Sequence, residues 1–248
     1  MTNNSLSLEK RYHNKIAEDF LKQREYDFIW EIPEELFIMK KKYLQNKSIV
    51  EMGCGPSFAI TKTIRRLKIK LNRYIGIDIS NKMILLAKKF LPHGKYLVAD
   101  ITNVNLPSLS CDTILSLGAL HHTEKQYHAL LNWIRILKNG GSLLLREPTY
   151  EALKKGMGAS PIEEGIRVNN VCAFLKRNKC IVYKKIYFCS NIFHLVNRIL
   201  IKFFGNFWKQ NKVFWYPIMI IDIFLCNSMG YLFKQLRGDA CIIIAQKI

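Results

Sequence analysis

With 248 residues, of which 49% are hydrophobic, the chain can bury one α/β core plus an addition, but not two domains of ordinary size. Its seven cysteines, scattered at 54, 111, 172, 180, 189, 226 and 241 with no Cys-x-x-Cys pair, argue against a disulfide framework and against a zinc site. The formal charge of +19 invites nucleic acid or an anionic membrane as partner, yet lysine outnumbers arginine by more than two to one, a bias that an AT-rich genome produces without selection for a basic surface.

The first eleven residues carry no apolar run behind their charges, so neither a secretory signal nor an anchor is expected there, and the protein is expected in the cytoplasm. Residues 8–30 place Tyr12, Ile16, Phe20 and Tyr26 at helical spacing, which predicts one or two helices. From Ser48 onward, short apolar runs alternate with helical stretches, the pattern of βαβ units around a parallel sheet. Strands are predicted at 48–52, 73–77, 95–99, 113–117, 142–146, 180–188 and 240–245, with helices beginning near Ser57, Asn81, Glu124 and Pro161. The Gly140-Gly141 pair fits a helix end followed by a tight turn into the next strand. Residues 190–236 break the alternation with Phe203-Phe204, Phe207-Trp208, Phe214-Trp-Tyr216 and several Lys and Arg. The expected architecture is a single domain: a helical lid over 1–45, a core over 46–189 and 237–248, and a hydrophobic basic helical insertion over 190–236.

The run Ile49-Val-Glu51-Met-Gly53-Cys-Gly55-Pro-Ser57 follows a strand and opens a helix, the context in which a glycine-rich turn is informative. Glycine serves there because the backbone must turn sharply and lie close to a ligand. A second acidic residue, Asp78, ends the next strand. Together with Gly76-Ile-Asp78-Ile-Ser80 and Met83, Val98-Ala-Asp100-Ile101, the run from Asp112 to His122 that ends Gly-Ala-Leu-His-His, and Leu137-Lys-Asn-Gly-Gly-Ser-Leu-Leu-Leu145, this series resembles the successive motifs of small-molecule class I S-adenosylmethionine-dependent methyltransferases over roughly residues 45–150. The resemblance implies a Rossmann-like α/β fold, a seven-stranded mostly parallel sheet with helices on both faces, and S-adenosylmethionine as cofactor. It implies Gly53 and Gly55 beneath the methionine part, Glu51 near its ammonium group and Leu117 close by. It likewise implies Asp78 on the ribose hydroxyls and Asp100 with Ile101 at the adenine, with Ile79 and Met83 completing the cofactor set. Ser57 stands where the family often has glycine, and is expected to cap the following helix. A dinucleotide oxidoreductase would need a third glycine in the turn, which is missing.

Methyl transfer from a sulfonium is an in-line displacement, and a hydroxyl acceptor must also lose its proton, a task suited to histidine near neutral pH. His121 and His122 follow the fourth strand and are the candidate bases, against the plainer reading that they only shape the loop. Glu147, at the end of the fifth strand, is a candidate for substrate contact or for capping a loop, and Tyr12 and Arg24 are weaker candidates on the N-terminal helices. No metal is expected, because adjacent histidines cannot face one ion from a regular helix.

In the insertion, apolar residues at 192, 193, 196, 199, 200, 203, 204, 207 and 208 oppose Asn197, Arg198, Lys202, Asn206 and Lys209, the pattern of an amphipathic basic helix. The stretch 213–233 is long enough to cross a membrane, but Pro217, Asp222, Asn227 and Ser228 interrupt it, and a last strand in the same sheet forbids a single crossing. A pair of helices on an anionic membrane surface, a lid over an apolar substrate and a dimer contact are the three readings; the oligomeric state is left open. The leading function is O-methylation of a small-molecule or lipid-linked substrate, such as a glycan hydroxyl in polysaccharide biosynthesis, at the cytosolic membrane face. C-methylation of a quinone or isoprenoid, RNA modification, and S-adenosylmethionine binding without catalysis are the alternatives; nucleic acid is disfavoured because no RNA-binding appendage is recognisable.

Overall fold

The computed structural model describes residues 3–24, 28–154, 163–233 and 236–248. In chain order the N-terminal helices are α1 (Asn3–Arg24), α2 (Phe28–Pro33), which runs into a π-type turn at Glu34–Ile38, and the short α3 (Lys41–Leu44). The alternating region follows as β1 (Ser48–Met52), α4 (Phe58–Leu67), β2 (Arg73–Asp78), α5 (Asn81–Phe90), β3 (Lys95–Val98), β4 (Cys111–Leu117), α6 (Gln126–Ile136) and β5 (Leu137–Pro148). The single turn α7 (Tyr150–Ala152), α8 (Val168–Arg177), β6 (Cys180–Phe188), the insertion helices α9 (Asn191–Gln210) and α10 (Lys212–Ser228), and β7 (Ala240–Lys247) complete the chain.

The seven strands form one sheet in the order β3-β2-β1-β4-β5-β7-β6. Strands β1 to β5 pair in parallel, and β7 runs antiparallel to both β5 and β6. The central strands are apolar on both faces because both are covered: Ile49, Val50 and Met52 of β1 are wholly buried. On one face Trp133 of α6 and Val171 and Leu175 of α8 pack against Val50, Ile75 and Ile114. On the other, Ile32 of α2, Ile60 of α4 and Trp215 and Met219 of α10 pack against Ile49, Leu115 and Leu144. All seven cysteines are free and buried.

Three local expectations need correction. The Gly140-Gly141 pair does not end a helix. Helix α6 stops at Ile136, and the β4–β5 register jumps from Cys111 opposite Leu137 to Thr113 opposite Ser142, so the glycines lie in an irregular opening of β5, with Gly140 at φ +75°. Ser57 does not cap α4 with its side chain; it sits at φ 55°, and its hydroxyl pairs with that of Tyr74 at 2.8 Å. Helix α9 is not continuous, because Gly205 breaks it at φ 52°, ψ −129°. The helix start expected near Pro161 and the side chain of Arg24 lie outside the described residues.

The insertion is fastened at its centre. Asp222, one of the polar residues that interrupt the apolar run, is buried and accepts the backbone N–H groups of Cys189 (2.6 Å) and Ser190 (3.1 Å) and the Ser190 hydroxyl (2.5 Å). Ser190 in turn caps α9 by accepting the Phe193 N–H at 3.1 Å. Among the described residues no helix is long and apolar enough to cross a membrane.

Candidate active site

Strands β1 and β4 are neighbours although the chain leaves β1 toward β2 and β3 and returns through β4, and ligands bind beyond the carboxyl ends of strands at such a reversal. A cavity of about 530 Å³ opens there, within the range of about 300–1,000 Å³ common for small-ligand sites. Its floor is the turn after β1. Gly53 and Gly55 have φ of +66° and +49°, and a Cβ at Gly53 would come within 2.3 Å of the Ala119 Cβ, so only glycine lets the loop after β4 approach. A Cβ at Gly55 would meet nothing nearer than Phe20 at 3.9 Å, which leaves open space above the turn.

Asp78 closes the neighbouring side. It is buried at the end of β2, where its Oδ2 accepts the Gly55 N–H and its Oδ1 the Ser80 N–H, both at 2.8 Å. Each oxygen keeps a further acceptor site for a ligand hydroxyl. Asp100 accepts the backbone N–H and the hydroxyl of Thr102, both at 2.8 Å, which holds its carboxylate at the cavity edge beside Ile101. Helix α1 lies across this side, with Asn14 accepting the Ser80 hydroxyl at 2.7 Å and the Lys82 N–H at 3.2 Å.

Glu51 is buried at the end of β1 and accepts the Tyr74 hydroxyl. Burial, with Glu34 and Asp78 adding, pushes its carboxyl up to about 8 against the Tyr74 hydrogen bond and the Arg146 charge. A buried acid raised in this way holds a proton that the unfolded chain has given up, so it lowers folding stability progressively as pH rises from 4.5 to about 8. Glu51→Gln is therefore expected to raise the melting temperature of the cofactor-free protein near pH 8 by a few degrees, with a smaller gain near pH 5. It should also weaken S-adenosylmethionine at least ~10-fold, because the amide, unlike the carboxyl, cannot give up a proton to become the ionic partner of an incoming ammonium group. Thermal melts at the two pH values, with and without cofactor, check both halves. An unchanged melt at the higher pH would remove the proposed strain.

The loop after β4 carries the candidate base. Glu147, fully buried in β5, accepts the Ser116 hydroxyl (3.0 Å), the N–H groups of Ala119 (3.2 Å), Leu120 (3.1 Å) and His121 (3.3 Å), and pairs with His121 Nδ1 at 2.8 Å. Burial alone would push Glu147 up; the His121 contact and the Leu120 N–H outweigh it and hold the carboxyl below its usual range. Glu147 thus stands behind His121 and is not among the cavity-lining residues; of its two readings, substrate contact and loop cap, the geometry fits the second, with its oxygens spent on orienting the loop and the imidazole. With Nδ1 engaged, Nε2 is the His121 nitrogen left to take a proton. His122 stacks on His121 with ring centroids 4.0 Å apart, and burial, with the His121 and His13 charges adding, pushes its pKa well below the usual range.

The nine residues expected at the cofactor, Glu51, Gly53, Gly55, Asp78, Ile79, Met83, Asp100, Ile101 and Leu117, all line the cavity together with His121 and His122. Tyr12 does not; its neighbour His13 does, with Leu6, Glu9 and Phe20. Those four positions fall on one face of α1, a signal visible in the sequence and passed over in favour of the aromatic residues. Glu34 and Arg146 were also missed. They pair across the cavity wall at 2.9 Å, with the guanidinium 4.6 Å over the Trp30 ring and donating to the Leu117 carbonyl at 2.9 Å. At the rim, Lys212 and Tyr216 of the insertion reach Glu35, which also meets Arg66 of α4. His194 brings the start of α9 into the cavity wall.

Residues 50–145 match the family model described as a methyltransferase domain. Over these residues the chain is similar to methyltransferase domains. It has the class I, S-adenosylmethionine-dependent fold, and the glycine turn, Asp78 and the raised Glu51 carboxyl fit that cofactor: open floor, two free acceptor sites for a diol, and a buried carboxyl suited to an ammonium. The ubiquinone/menaquinone biosynthesis C-methyltransferase of Campylobacter jejuni is 28% identical over 50% of this chain and 54% of its own. Among solved structures, a chain of the complex containing the Haloferax volcanii Trm112 methyltransferase activator superposes with a TM-score of 0.64 at 17% identity, covering 95% of this chain and 97% of that one. An S-adenosylmethionine-dependent methyltransferase from Mesorhizobium loti gives 0.59 at 18% identity over 88% of this chain and 98% of that one. The chain spans between 32% and 57% of the length of the curated relatives it matches.

Proposed function

We propose that the chain is an S-adenosylmethionine-dependent O-methyltransferase acting on a small or lipid-linked acceptor, such as a glycan hydroxyl, at the cytosolic face of a membrane. The observation that carries the chemistry is the His121–Glu147 pair at 2.8 Å in the loop beside the glycine turn. The cofactor, when bound, supplies an electrophilic methyl group. The protein's part is to hold the acceptor in line with it, to exclude water, and to take the hydroxyl proton on His121 Nε2 while Glu147 balances the imidazolium. His122, with its pKa pushed down, is the weaker base. Incubation with methyl-labelled cofactor and fractionated cell extracts tests this reading. Label in an alkali-stable ether of a lipid or small metabolite supports it. Label on carbon of a quinone would favour the second reading, to which the C. jejuni relative lends weight, and label in RNA would replace both.

The membrane half rests on the outer face of the insertion. Leu195, Ile199 and Phe203 of α9 and Val213, Ile220, Ile221 and Phe224 of α10 are exposed, Phe203 by 75% and Val213 by 78%, with Arg198 and Lys202 exposed among them. Apolar stripes flanked by cations suit an anionic bilayer surface. The purified protein is expected to float with anionic liposomes at low salt and less with neutral ones, and Phe203→Ser with Phe224→Ser should abolish flotation. Flotation that survives both substitutions would assign the membrane contact elsewhere.

A further inference from the structure

Beside the candidate base, two histidines and a glutamate that no sequence motif links are brought onto one point of the cavity wall. Glu9 and His13 lie one turn apart on α1, with Glu9 Oε2 and His13 Nε2 at 3.2 Å, and Glu9 is 1% exposed. His122 reaches the same carboxylate oxygen from the loop after β4, with Nδ1 at 3.7 Å, and its ring stands nearly perpendicular to that of His13, centroids 4.8 Å apart. All three ligand atoms lie within 4.8 Å of one another. Tetrahedral coordination at ordinary zinc–nitrogen and zinc–oxygen lengths separates ligand atoms by about 3.3 Å, so the Glu9–His13 and Glu9–His122 pairs already stand near that spacing. Glu163 Oε1, 3.9 Å from His122 Nδ1, offers a further oxygen.

We propose that Glu9, His13 and His122 form a divalent-cation site in the cavity wall, with a position left open toward the interior. Two imidazoles and one carboxylate suit zinc, cobalt or nickel; magnesium and calcium favour all-oxygen shells. Adjacent histidines such as His121-His122 cannot face one ion from a regular helix. The ligands instead come from two elements distant in the chain, and only His122 of that pair contributes. If the O-methyltransferase reading above holds, an acceptor oxygen on the open position would lie beside His121, whose ring is 4.0 Å from that of His122, and the ion would ease loss of the hydroxyl proton.

The site is tested on the full chain after dialysis against chelator, by calorimetric titration with zinc and with magnesium and by the visible spectrum of the cobalt form. One zinc ion per chain is expected at a dissociation constant of about 1 μM or tighter, at least ~100-fold tighter than magnesium, with cobalt bands typical of four-coordinate nitrogen and oxygen ligation. Glu9→Gln, His13→Asn and His122→Asn should each weaken zinc ~10- to 100-fold, whereas His93→Asn, an exposed histidine elsewhere, should not. Absence of zinc binding by the unaltered chain overturns the site, a result that needs no variant to fold. So does zinc affinity that survives the three substitutions. Cofactor binding measured in chelator separates this failure from failure of the methyltransferase reading.

Discussion

Asp78→Ala is expected to cost at least ~100-fold in S-adenosylmethionine affinity, read by calorimetry well below the melting transition. Two hydrogen bonds to a charged acceptor contribute about 1.5–3 kcal/mol each, and the ribose diol would lose both. The substitution also strips the Gly55 and Ser80 N–H groups of their shared acceptor, so the glycine turn loses the strut that holds it against β2. A lowered melting temperature should accompany the affinity loss. Asp78→Asn, which keeps one oxygen, should recover part of the stability and little of the affinity. Unchanged affinity in both variants would put the ribose elsewhere and undo the site alignment.

The second large effect falls on turnover. His121→Ala should lower kcat by about 10²–10⁴, the usual worth of a positioned general base, while cofactor affinity stays within about threefold. Glu147→Gln should also lower kcat, since an amide in place of the carboxylate can donate to Nδ1 and leave Nε2 protonated, the wrong tautomer for a base. It will cost stability as well, because five donors converge on that carboxylate. Turnover of His121→Ala at the unaltered rate would mean that the acceptor gives up no proton to this ring, as expected for a carbon nucleophile or an already ionised acceptor.

The strands and the residues at their carboxyl ends were legible in the sequence because each is specified locally. An apolar run flanked by turn residues marks a parallel strand, and the cavity-lining residues Gly53, Gly55, Asp78 and Asp100 end or closely follow such runs. What could not be read depends on partners far along the chain. Glu34 and Arg146 meet over a separation of 112 residues. Ser57 looked like a helix cap, yet a left-handed backbone turns its hydroxyl toward Tyr74 instead. Glu147 could be read as a substrate contact or as a loop cap, and nothing local decides between them, because the loop that consumes its oxygens lies 26 to 31 residues earlier in the chain. The insertion illustrates both cases: its amphipathic spacing was visible, but its break at Gly205 and its anchor at Asp222 were not.

Equilibrium dialysis of methyl-labelled S-adenosylmethionine against the full chain tests the central claim most directly. One site per chain, emptied by S-adenosylhomocysteine and lost in Asp78→Ala, is the result predicted. Failure to retain the cofactor at millimolar concentration, by a protein that melts cooperatively, would contradict it and leave a methyltransferase fold put to another use.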